Sequence, residues 1–336
     1  MAEVVNDAPA ISVIIPSAGG ETLERCLLAV KANAGPFIEI LVVDDSPGGS
    51  VEVPVRADGV RRVRSRGGEG AAAARNMGAR EASGGVLVFV DDDVVVPPDA
   101  LDRLFRPIAH GEAEAVVAIY GAPPPGAGAA TVYKHLWIMW SYLRAPDRID
   151  WIFASTFGVG RSAFERAGGF DERRSARTGT DDLELGMRLH AAGARILLDK
   201  GLRTTHLKRY TLAALLVTQY VRARSFTALA LDRRRLAASP GRGFANVPPS
   251  FIAGVCFSWA LPICGLVGAV MGGAWWCAPA AAAALWALSA APFIRFARAT
   301  AGVKAGAAAA PLTYLDHVVC GAGVAAGVLG GSGGRV

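Results

Sequence analysis

Several common features are scarce or missing in this chain of 336 residues, and their absence narrows the classes to which it can belong. There are only five cysteines, and none of them forms a CxxC pair. This pattern indicates reduced, structural thiols. The net charge is +6, but no basic stripe interleaved with aromatic residues is present, so we expect no nucleic acid partner.

The common nucleotide-binding loops are also missing. No GxGxxG opens a helix after the first predicted strand, and no GxxxxGK[ST] occurs in the chain. The dinucleotide-binding and P-loop classes therefore lose their main support. If a nucleotide binds, side chains must hold it.

Charged residues are absent from Phe251 to Ile294, although they are frequent before this run. The run divides at Gly272-Gly273-Ala274 into segments 251–271 and 275–294, each about 20 residues long, the length that crosses a hydrocarbon core. This predicts a transmembrane hairpin, with a pair of alanine-rich core helices in a soluble domain as the alternative.

A third apolar stretch, 305–330, is interrupted by Pro311, Asp316 and His317. Such a segment can span the membrane or lie in its interface, and both interpretations stay open.

Basic residues flank the charge-free run on both sides, which predicts cytoplasmic flanks and a multi-pass protein of the inner or plasma membrane. The globular part is then cytoplasmic, and residues 1–10, which lack a signal-peptide pattern, agree. Residues 211–250 read as a basic, amphipathic interfacial linker that contacts anionic lipid headgroups. The flanking residues are Arg222, Arg224, Arg233, Arg234, Arg235, Arg242, Arg295, Arg298 and Lys304.

The first half of the chain alternates strand-like and helix-like segments, which predicts an open, mainly parallel α/β sheet. Strands are expected at 11–15, 37–43 and 86–90, and helices at 21–32 and 68–82. Acidic residues follow two of these strands, and their positions suggest a site.

Asp44-Asp45 comes after the second predicted strand and the triplet from Asp91 to Asp93 after the third, while Pro16-Ser17 ends the first. Ligands of such sheets bind at the carboxyl ends of the strands, so these residues are expected at one edge. Taken alone, the acidic triplet fits a solvated turn as well as a divalent cation site.

Six motifs, in the right order between residues 11 and 206, resemble the family 2 glycosyltransferases of the GT-A fold. The resemblance implies a Rossmann-like GT-A catalytic domain over residues 1–210, followed by α-helical transmembrane segments over 251–336. The motifs are SVIIPS (12–17), ILVVDDS (40–46), GAAAARNMG (70–78), VFVDDDVVVPPDAL (88–101), FGVGRSAFERAGGFDE (157–172) and GTDDLELGMRLHAAG (179–193).

The resemblance implies a nucleoside diphosphate sugar as donor and assigns residues to it. Asp91 and Asp93 match the DxD pair, which binds the diphosphate through a divalent cation; Mg²⁺ or Mn²⁺ fits, because hard cations prefer carboxylate and phosphate oxygens. Asp92 lines the turn between them. The donor-binding set is Pro16, Ser17, Asp44, Asp45, Arg75 and Asp92.

Asp181-Asp182 matches the acidic pair of the family, usually Glu-Asp, in which the Asp is the general base. Asp182 keeps that position, so the resemblance makes it the base, and Asp181, one methylene shorter than the usual Glu, has an orienting role. The same acids would complement the dipole of a helix predicted from Asp182 to Gly193, and both interpretations can hold.

Three further candidate site residues have weaker support from the sequence. His206 is a candidate ligand of the metal or the donor phosphate, and the alternative is a purely structural role. Arg222 and Arg224 are candidates for clamping the diphosphate, and the alternative is contact with lipid. Residues 219–223 resemble the QxxRW signature of processive synthases, but Ala223 stands in place of the Trp, which disfavours a processive enzyme.

Two local patterns have structural explanations. Ser162 and Glu165 fit a capping box that starts a short helix. The aromatic segment 133–143 is either core or an apolar surface for a lipid acceptor or the bilayer.

The family resemblance and the apolar C-terminal segments together imply a membrane-anchored, metal-dependent, inverting glycosyltransferase of the hexosyltransferase type. The expected donor is a UDP-sugar, and the expected acceptor is a polyprenyl phosphate or a lipid-linked glycan in cell-envelope glycan synthesis. The alternatives are a non-catalytic, nucleotide-sugar-binding membrane subunit and a processive polysaccharide synthase.

Overall fold

A computed structural model describes residues 10–33, 35, 37–49, 51–52, 59–172, 180–231 and 247–331 of the chain. It divides into two compact units. The first contains Met1–Pro124 and Pro146–Leu207, and the second contains Pro125–Ala145 and Lys208–Val336. The segment Pro125–Ala145, which falls within the predicted catalytic range 1–210, therefore groups with the C-terminal helices.

The first unit is built on a nine-stranded mixed sheet in the order β3-β2-β1-β4-β8-β6-β9-β5, with β7 paired to β9. The strands from β3 to β4 run parallel, β8 is antiparallel to both of its neighbours, and β6 and β9 are parallel again. The predicted open α/β sheet is confirmed, but it is mixed rather than mainly parallel, because four strand pairs are parallel and four are antiparallel. The strands are β1 (Ile11–Ser17), β2 (Ile38–Asp44), β3 (Val60–Arg64), β4 (Val86–Val90), β5 (Val94–Val95), β6 (Ala115–Tyr120), β7 (Arg148–Ile149), β8 (Thr156–Gly160) and β9 (Ile196–His206).

The central strands are buried along their whole length, as expected for parallel strands covered on both faces. One core layer joins β1, β4 and helix α1 through residues such as Val13, Leu27 and Val88. On the sheet, Gly78 of α2 allows a close approach, since a Cβ there would lie 2.4 Å from Ile14 Cγ2. The helices of this unit are α1 (Leu23–Lys31), α2 (Ala71–Glu81), α3 (Ala100–Ala109), α5 (Arg161–Arg166) and α6 (Asp181–Ala191).

The capping box expected at the start of α5 does not form. The helix begins one residue after Gly160, and no side chain caps it. Ser162 therefore lies inside the first turn, where its hydroxyl is past the N-cap position, and the prediction was wrong because it placed the helix start two residues too late.

The second unit is helical. It contains α4 (Ala129–Arg144), α7 (Leu212–Leu231), α8 (Pro249–Met271), a 3₁₀ turn (Gly273–Trp276) and α9 (Cys277–Gly331). Helix α9 is broken at Gly302, which has φ 86° and ψ 178°. A Cβ at Gly306 would lie 2.6 Å from Arg298 Cβ, so the two arms of α9 fold back on each other at this break.

The aromatic segment of α4 forms core within this unit. Tyr133, Leu136 and Trp140 are buried in one cluster with Leu215 of α7 and Phe293 of α9. Of the two interpretations of residues 133–143, the structure favours core.

The second arm of α9 approaches α7 closely. A Cβ at Gly323 would lie 2.5 Å from the Tyr220 carbonyl oxygen, and one at Gly327 would lie 2.7 Å from that of Arg224. Small residues four apart allow two helix backbones to meet, as they do in membrane proteins.

Two helical stretches, Pro249–Met271 and Gly273–Gly330, are long and apolar enough to cross a membrane. They contain the predicted segments 251–271, 275–294 and 305–330. Large apolar side chains on α8 are exposed, such as Leu266 at 68% and Val270 at 74%. Pro311, Asp316 and His317 do not interrupt the last segment, which is helical through all three.

Some sequence predictions concern residues outside the described part of the chain. They are the N-terminal residues 1–9, Arg233, Arg234, Arg235 and Arg242 of the predicted linker, and Gly179 of the last motif. Arg295, Arg298 and Lys304 are described, and all three are exposed around the break at Gly302.

Candidate active site

The carboxyl ends of β1, β2 and β4 lie side by side, as the sequence predicted. Ser17 pairs in register with Asp44, and β4 ends directly before Asp91. A turn from Asp91 to Val94 follows, closed by a bond from the Val94 amide to the Asp91 carbonyl at 3.1 Å. The acidic triplet thus occupies a tight turn at the sheet edge.

Each carboxylate of the triplet has a different partner. Asp91 accepts from Arg75 Nη2 at 2.6 Å, Asp92 accepts from Ser17 Oγ at 2.6 Å, and Asp93 lies 3.1 Å from His206 Nε2. Burial raises the pKa of Asp92 to about 6, with a lowering contribution from Ser17 and raising contributions from Asp93 and Asp91. The turn therefore directs its three side chains to three separate neighbours.

His206 reaches the triplet because of strand pairing. Strand β5 runs antiparallel to β9, and Val94 is paired with His206. The Leu207 amide also donates to the Asp93 carbonyl at 2.7 Å. The imidazole stacks on Tyr120 with 4.6 Å between ring centroids, so its orientation is fixed by packing.

The donor set at Asp93 and His206 is compatible with a divalent cation. Among the described residues, no three His, Cys, Asp or Glu side chains converge as a complete protein cage. A cation bound through one or two protein ligands plus substrate phosphates needs no such cage. Asp93 Oδ2 and His206 Nε2 supply two donors of suitable chemistry, and Asp91, the other predicted ligand, is engaged by Arg75.

Arg75 links two parts of the site. Its Nη2 contacts Asp91 and its Nη1 donates to Asp181 Oδ2 at 3.3 Å. Burial opposes the charge, but Asp91 and Asp181 raise the pKa of Arg75 above its ordinary value. The residue is therefore a permanent cation between the DxD turn and the acidic pair.

Asp181 and Asp182 lie in the first turn of α6, where carboxylates complement the helix dipole. Asp181 is 8% exposed and is held by Arg75, whereas Asp182 is half-buried and accepts from the Ala154 amide at 3.4 Å. The member predicted to be the base is thus the more accessible of the two.

A clamp holds the loop that precedes this helix. Asn76 accepts from the Phe170 amide and donates to the Phe170 carbonyl, both at 2.9 Å. From the other side, Arg188 of α6 donates to the Gly169 carbonyl at 2.6 Å. Gly169 has φ 68°, a conformation that favours glycine, so the double glycine is explained by this turn.

Asp44 and Asp45 are buried and engaged by protein donors. Burial alone would raise the pKa of Asp44, but hydrogen bonds from Ser46 and Arg62 outweigh it and lower the value to about 2. Asp45 accepts from the Ser65 hydroxyl and from the Gly70 amide at 2.8 Å. Both carboxylates therefore stabilise the loops that form this edge.

The remaining predicted residues fall in two places. Pro16 lies within β1, paired with Val43 and buried. Arg222 and Arg224 lie on α7 in the second unit, where the Arg222 guanidinium is 5.5 Å from the Phe226 ring centroid. Of the predicted residues, Ser17, Arg75 and His206 contact the triplet directly, and Asp181 is joined to it through Arg75.

Sequence reasoning missed several residues of this site. Asn76 lies within one of the six motifs, but no role was predicted for it. Arg62 donates to Asp44, but nothing in the sequence marks it as a site residue, because exposed basic residues on an edge strand are common. Tyr120 could have been found only by recognising β6, which lacks a flanking acidic motif.

Comparison with known proteins supports the same assignment. Residues 12–165 match the family described as Glycosyl transferase family 2. A validoxylamine A glucosyltransferase from Streptomyces hygroscopicus subsp. limoneus is 30% identical over 233 residues, which is 57% of this chain and 50% of the relative. The glycosyltransferase GlyG of Streptococcus pneumoniae serotype 4 is 30% identical over 116 residues, or 33% of this chain and 38% of the relative.

The chain thus spans about half the length, or less, of these relatives. Among solved structures, the mannosyltransferase PcManGT from Pyrobaculum calidifontis, in complex with GDP-Man and Mn²⁺, has a TM-score of 0.55 at 21% identity. The match covers 90% of this chain and 86% of that chain, and it shows a shared fold. Over residues 12–165 the chain therefore resembles the family 2 glycosyltransferases.

Proposed function

We propose that this protein transfers a sugar from a nucleoside diphosphate sugar, with UDP as the carrier, to a lipid-linked acceptor at the cytoplasmic face of a cell membrane. The observation that carries the proposal is the arrangement of the Asp91–Asp93 turn, His206 and the Asp181-Asp182 pair in one site of a family 2 domain. Such a site has separate places for the leaving diphosphate and for the acceptor proton.

The donor side is the acidic turn. Ser17 and Asp92 form one hydrogen-bonded pair at the end of β1, and Ser17 is one of the residues that the resemblance assigns to the base and ribose of the donor. A divalent cation held by Asp93 and His206, with Asp91 beside them, would offset the negative charge that grows on the departing diphosphate. Mn²⁺ and Mg²⁺ both suit this oxygen and nitrogen donor set, and Mn²⁺ is the ion named for the mannosyltransferase.

The acceptor side is the start of α6. Asp182 removes the proton from an acceptor hydroxyl, the acceptor oxygen attacks the anomeric carbon, and the bond to the diphosphate breaks in the same displacement, which inverts the configuration. Asp181, held by Arg75, orients this turn of the helix.

The membrane part of the proposal is supported by the second unit. Its two candidate spans and the exposed arginines around Gly302 suit a protein anchored in the inner membrane with basic residues towards the cytoplasm. An anchored enzyme meets membrane-bound acceptors at high local concentration, and polyprenyl phosphates and lipid-linked glycans of the cell envelope are the acceptors of this kind.

Asp182→Asn separates these two acceptors. A phosphate acceptor is already anionic and needs no base, whereas a sugar hydroxyl does. We expect Asn to reduce turnover on a lipid-linked glycan by about 100-fold or more, the scale of general-base catalysis. Turnover that is kept would refute the general-base role and favour a polyprenyl phosphate acceptor.

Asp93→Ala tests the metal site. We expect it to abolish Mn²⁺-dependent binding of the nucleotide sugar as well as turnover, both measured on the full-length protein in detergent. The matched control is Asp99→Ala, because Asp99 is exposed and pairs with Arg103 outside this site. Unchanged binding and turnover in Asp93→Ala would rule out the metal role.

The simplest test of catalysis itself is release of UDP from a panel of UDP-sugars with Mn²⁺ or Mg²⁺ present. A transferase slowly transfers the sugar to water, whereas a binding subunit does not. No release with any donor, although binding is measurable, would favour the non-catalytic alternative.

A further inference from the structure

Arg75 occupies a position that the family resemblance associates with nucleotide support, but both of its terminal amino groups are engaged inside the protein. Nη2 contacts Asp91 at 2.6 Å and Nη1 contacts Asp181 at 3.3 Å. The side chain is 7% exposed. One planar guanidinium therefore joins a carboxylate of the DxD turn to a carboxylate at the start of α6.

The guanidinium is also held in its plane. Its carbon lies 5.3 Å from the centroid of the Phe170 ring, and Phe170 packs against Phe89 and Phe164. Asn76, the next residue along α2, fixes the Phe170 backbone through two hydrogen bonds. A side chain that is 7% exposed and held against a fixed ring in this way is not free to swing towards a ligand.

The charge balance explains why a cation is needed here. Asp91, Asp92, Asp93, Asp181 and Asp182 all belong to this edge, and in the described part of the first unit Arg75 is the only buried arginine or lysine. Without it, Asp91 and Asp181 would be two partly desolvated carboxylates with no cation between them, and each would be expected to move towards solvent.

We propose that Arg75 is a positioning residue, which sets the separation between the donor-binding turn and the base-bearing end of α6, and that it is not a ligand of the nucleotide. The proposal rests on the glycosyl transfer proposed above, because that reaction requires both carboxylate groups to act on one substrate pair. Arginine suits the task, since its fork reaches two carboxylates at once, whereas lysine is a single point charge.

The test compares Arg75→Gln, Arg75→Lys and Arg75→Ala with wild type, all as full-length protein in detergent. We expect kcat to fall by about 100-fold in Arg75→Gln, the scale of a 1 Å misplacement of reacting groups. The affinity for UDP without metal should stay within about twofold, because no contact to the nucleotide is lost. Arg75→Lys should retain intermediate activity, since it can pair with only one carboxylate.

Chemical rescue distinguishes positioning from a loss of folding. Millimolar guanidinium ion should restore part of the kcat of Arg75→Ala by filling the vacated position, and urea, which has a similar shape but no charge, should not. The matched control is Arg80→Gln on the same helix, 60% exposed, for which we expect wild-type kinetics.

Three results would overturn the inference. They are an unchanged kcat in Arg75→Gln, a loss of UDP affinity of tenfold or more with kcat retained, and a failure of guanidinium to rescue a folded Arg75→Ala. Absence of UDP release by the wild type would refute the proposed function, and this inference with it, before any substitution is compared.

Discussion

Asp316 provides the sharpest test of how the helical unit is held together. This residue of α9 is 0% exposed, and its carboxylate accepts hydrogen bonds from Tyr133 Oη at 2.7 Å and from Gln219 Nε2 at 2.7 and 2.8 Å. The side-chain amide oxygen Oε1 of Gln219 accepts from Lys134 Nζ. An amide thus connects a buried cation to a buried anion, and the network joins α4, α7 and α9.

Asp316→Leu should destabilise the protein by about 2–6 kcal/mol, the sum for two buried donors left without an acceptor. The substitution leaves the Tyr133 hydroxyl and the Gln219 amide without acceptors, and a buried donor without an acceptor costs about 1–3 kcal/mol. It also removes the anion that favours the protonated form of Lys134, whose pKa burial already lowers to about 7. Leucine keeps the branching and the number of heavy atoms of the aspartate side chain, so it removes both acceptors with little change of shape.

Asp316→Asn should lose only about 1–2 kcal/mol. The new amide oxygen can accept from Gln219, and the new amide nitrogen can donate to the Tyr133 oxygen, because a phenol both donates and accepts. The double variant Lys134→Met with Asp316→Leu should be more stable than the sum of the two single effects predicts, since the unpaired cation is then gone.

The measurement is thermal or denaturant unfolding of the full-length protein in one detergent, with Asp316→Asn as the matched control. A loss below about 0.5 kcal/mol for Asp316→Leu, the level of an inert surface substitution, would refute the reasoning. Equal losses for the Leu and Asn variants would also refute it, because hydrogen-bond capacity would then not matter.

Further predictions concern pH, helix contact and the sheet edge. Burial, reinforced by Arg222, lowers the pKa of Lys134 to about 7, whereas the unfolded chain keeps this proton up to about 10.4, so the free energy of unfolding should rise between pH 7 and pH 9. Lys134→Met should remove that rise. Gly323→Val should cost about 1–3 kcal/mol by forcing α7 away, and Gly265→Val, where no atom lies within 4 Å, should be neutral in the same unfolding assay. Asp45→Asn should destabilise the nucleotide-free protein by about 1–2 kcal/mol, because its amide would face donor groups of Ser65 and the α2 start; an unchanged midpoint would assign Asp45 to the ligand instead.

The elements of the first half were predictable because their signals are local. The strand predicted at 86–90 is the observed β4, and the expected helix at 68–82 is observed as Ala71–Glu81. Continuous apolar runs and acidic strand ends are properties of neighbouring residues, so they can be recognised from the sequence without the structure. The start of α5 was misread for the same reason, since a capping box is a local pattern that the backbone did not use.

What the residues of the chain determined without coordinates was which side chains are candidates for the chemistry. The triplet from Asp91 to Asp93, the acidic pair Asp181-Asp182 and the charge-free run after Phe251 depend on composition and spacing alone. What only the tertiary structure decided was the choice of partners. The pairing of β5 with β9 brings His206 to Asp93, and the packing of α2 under Phe170 places Arg75 between Asp91 and Asp181. Contacts between residues so distant in sequence follow from strand order and helix packing, which no local pattern encodes, and they decide which carboxylate lies beside His206 and which beside Arg75.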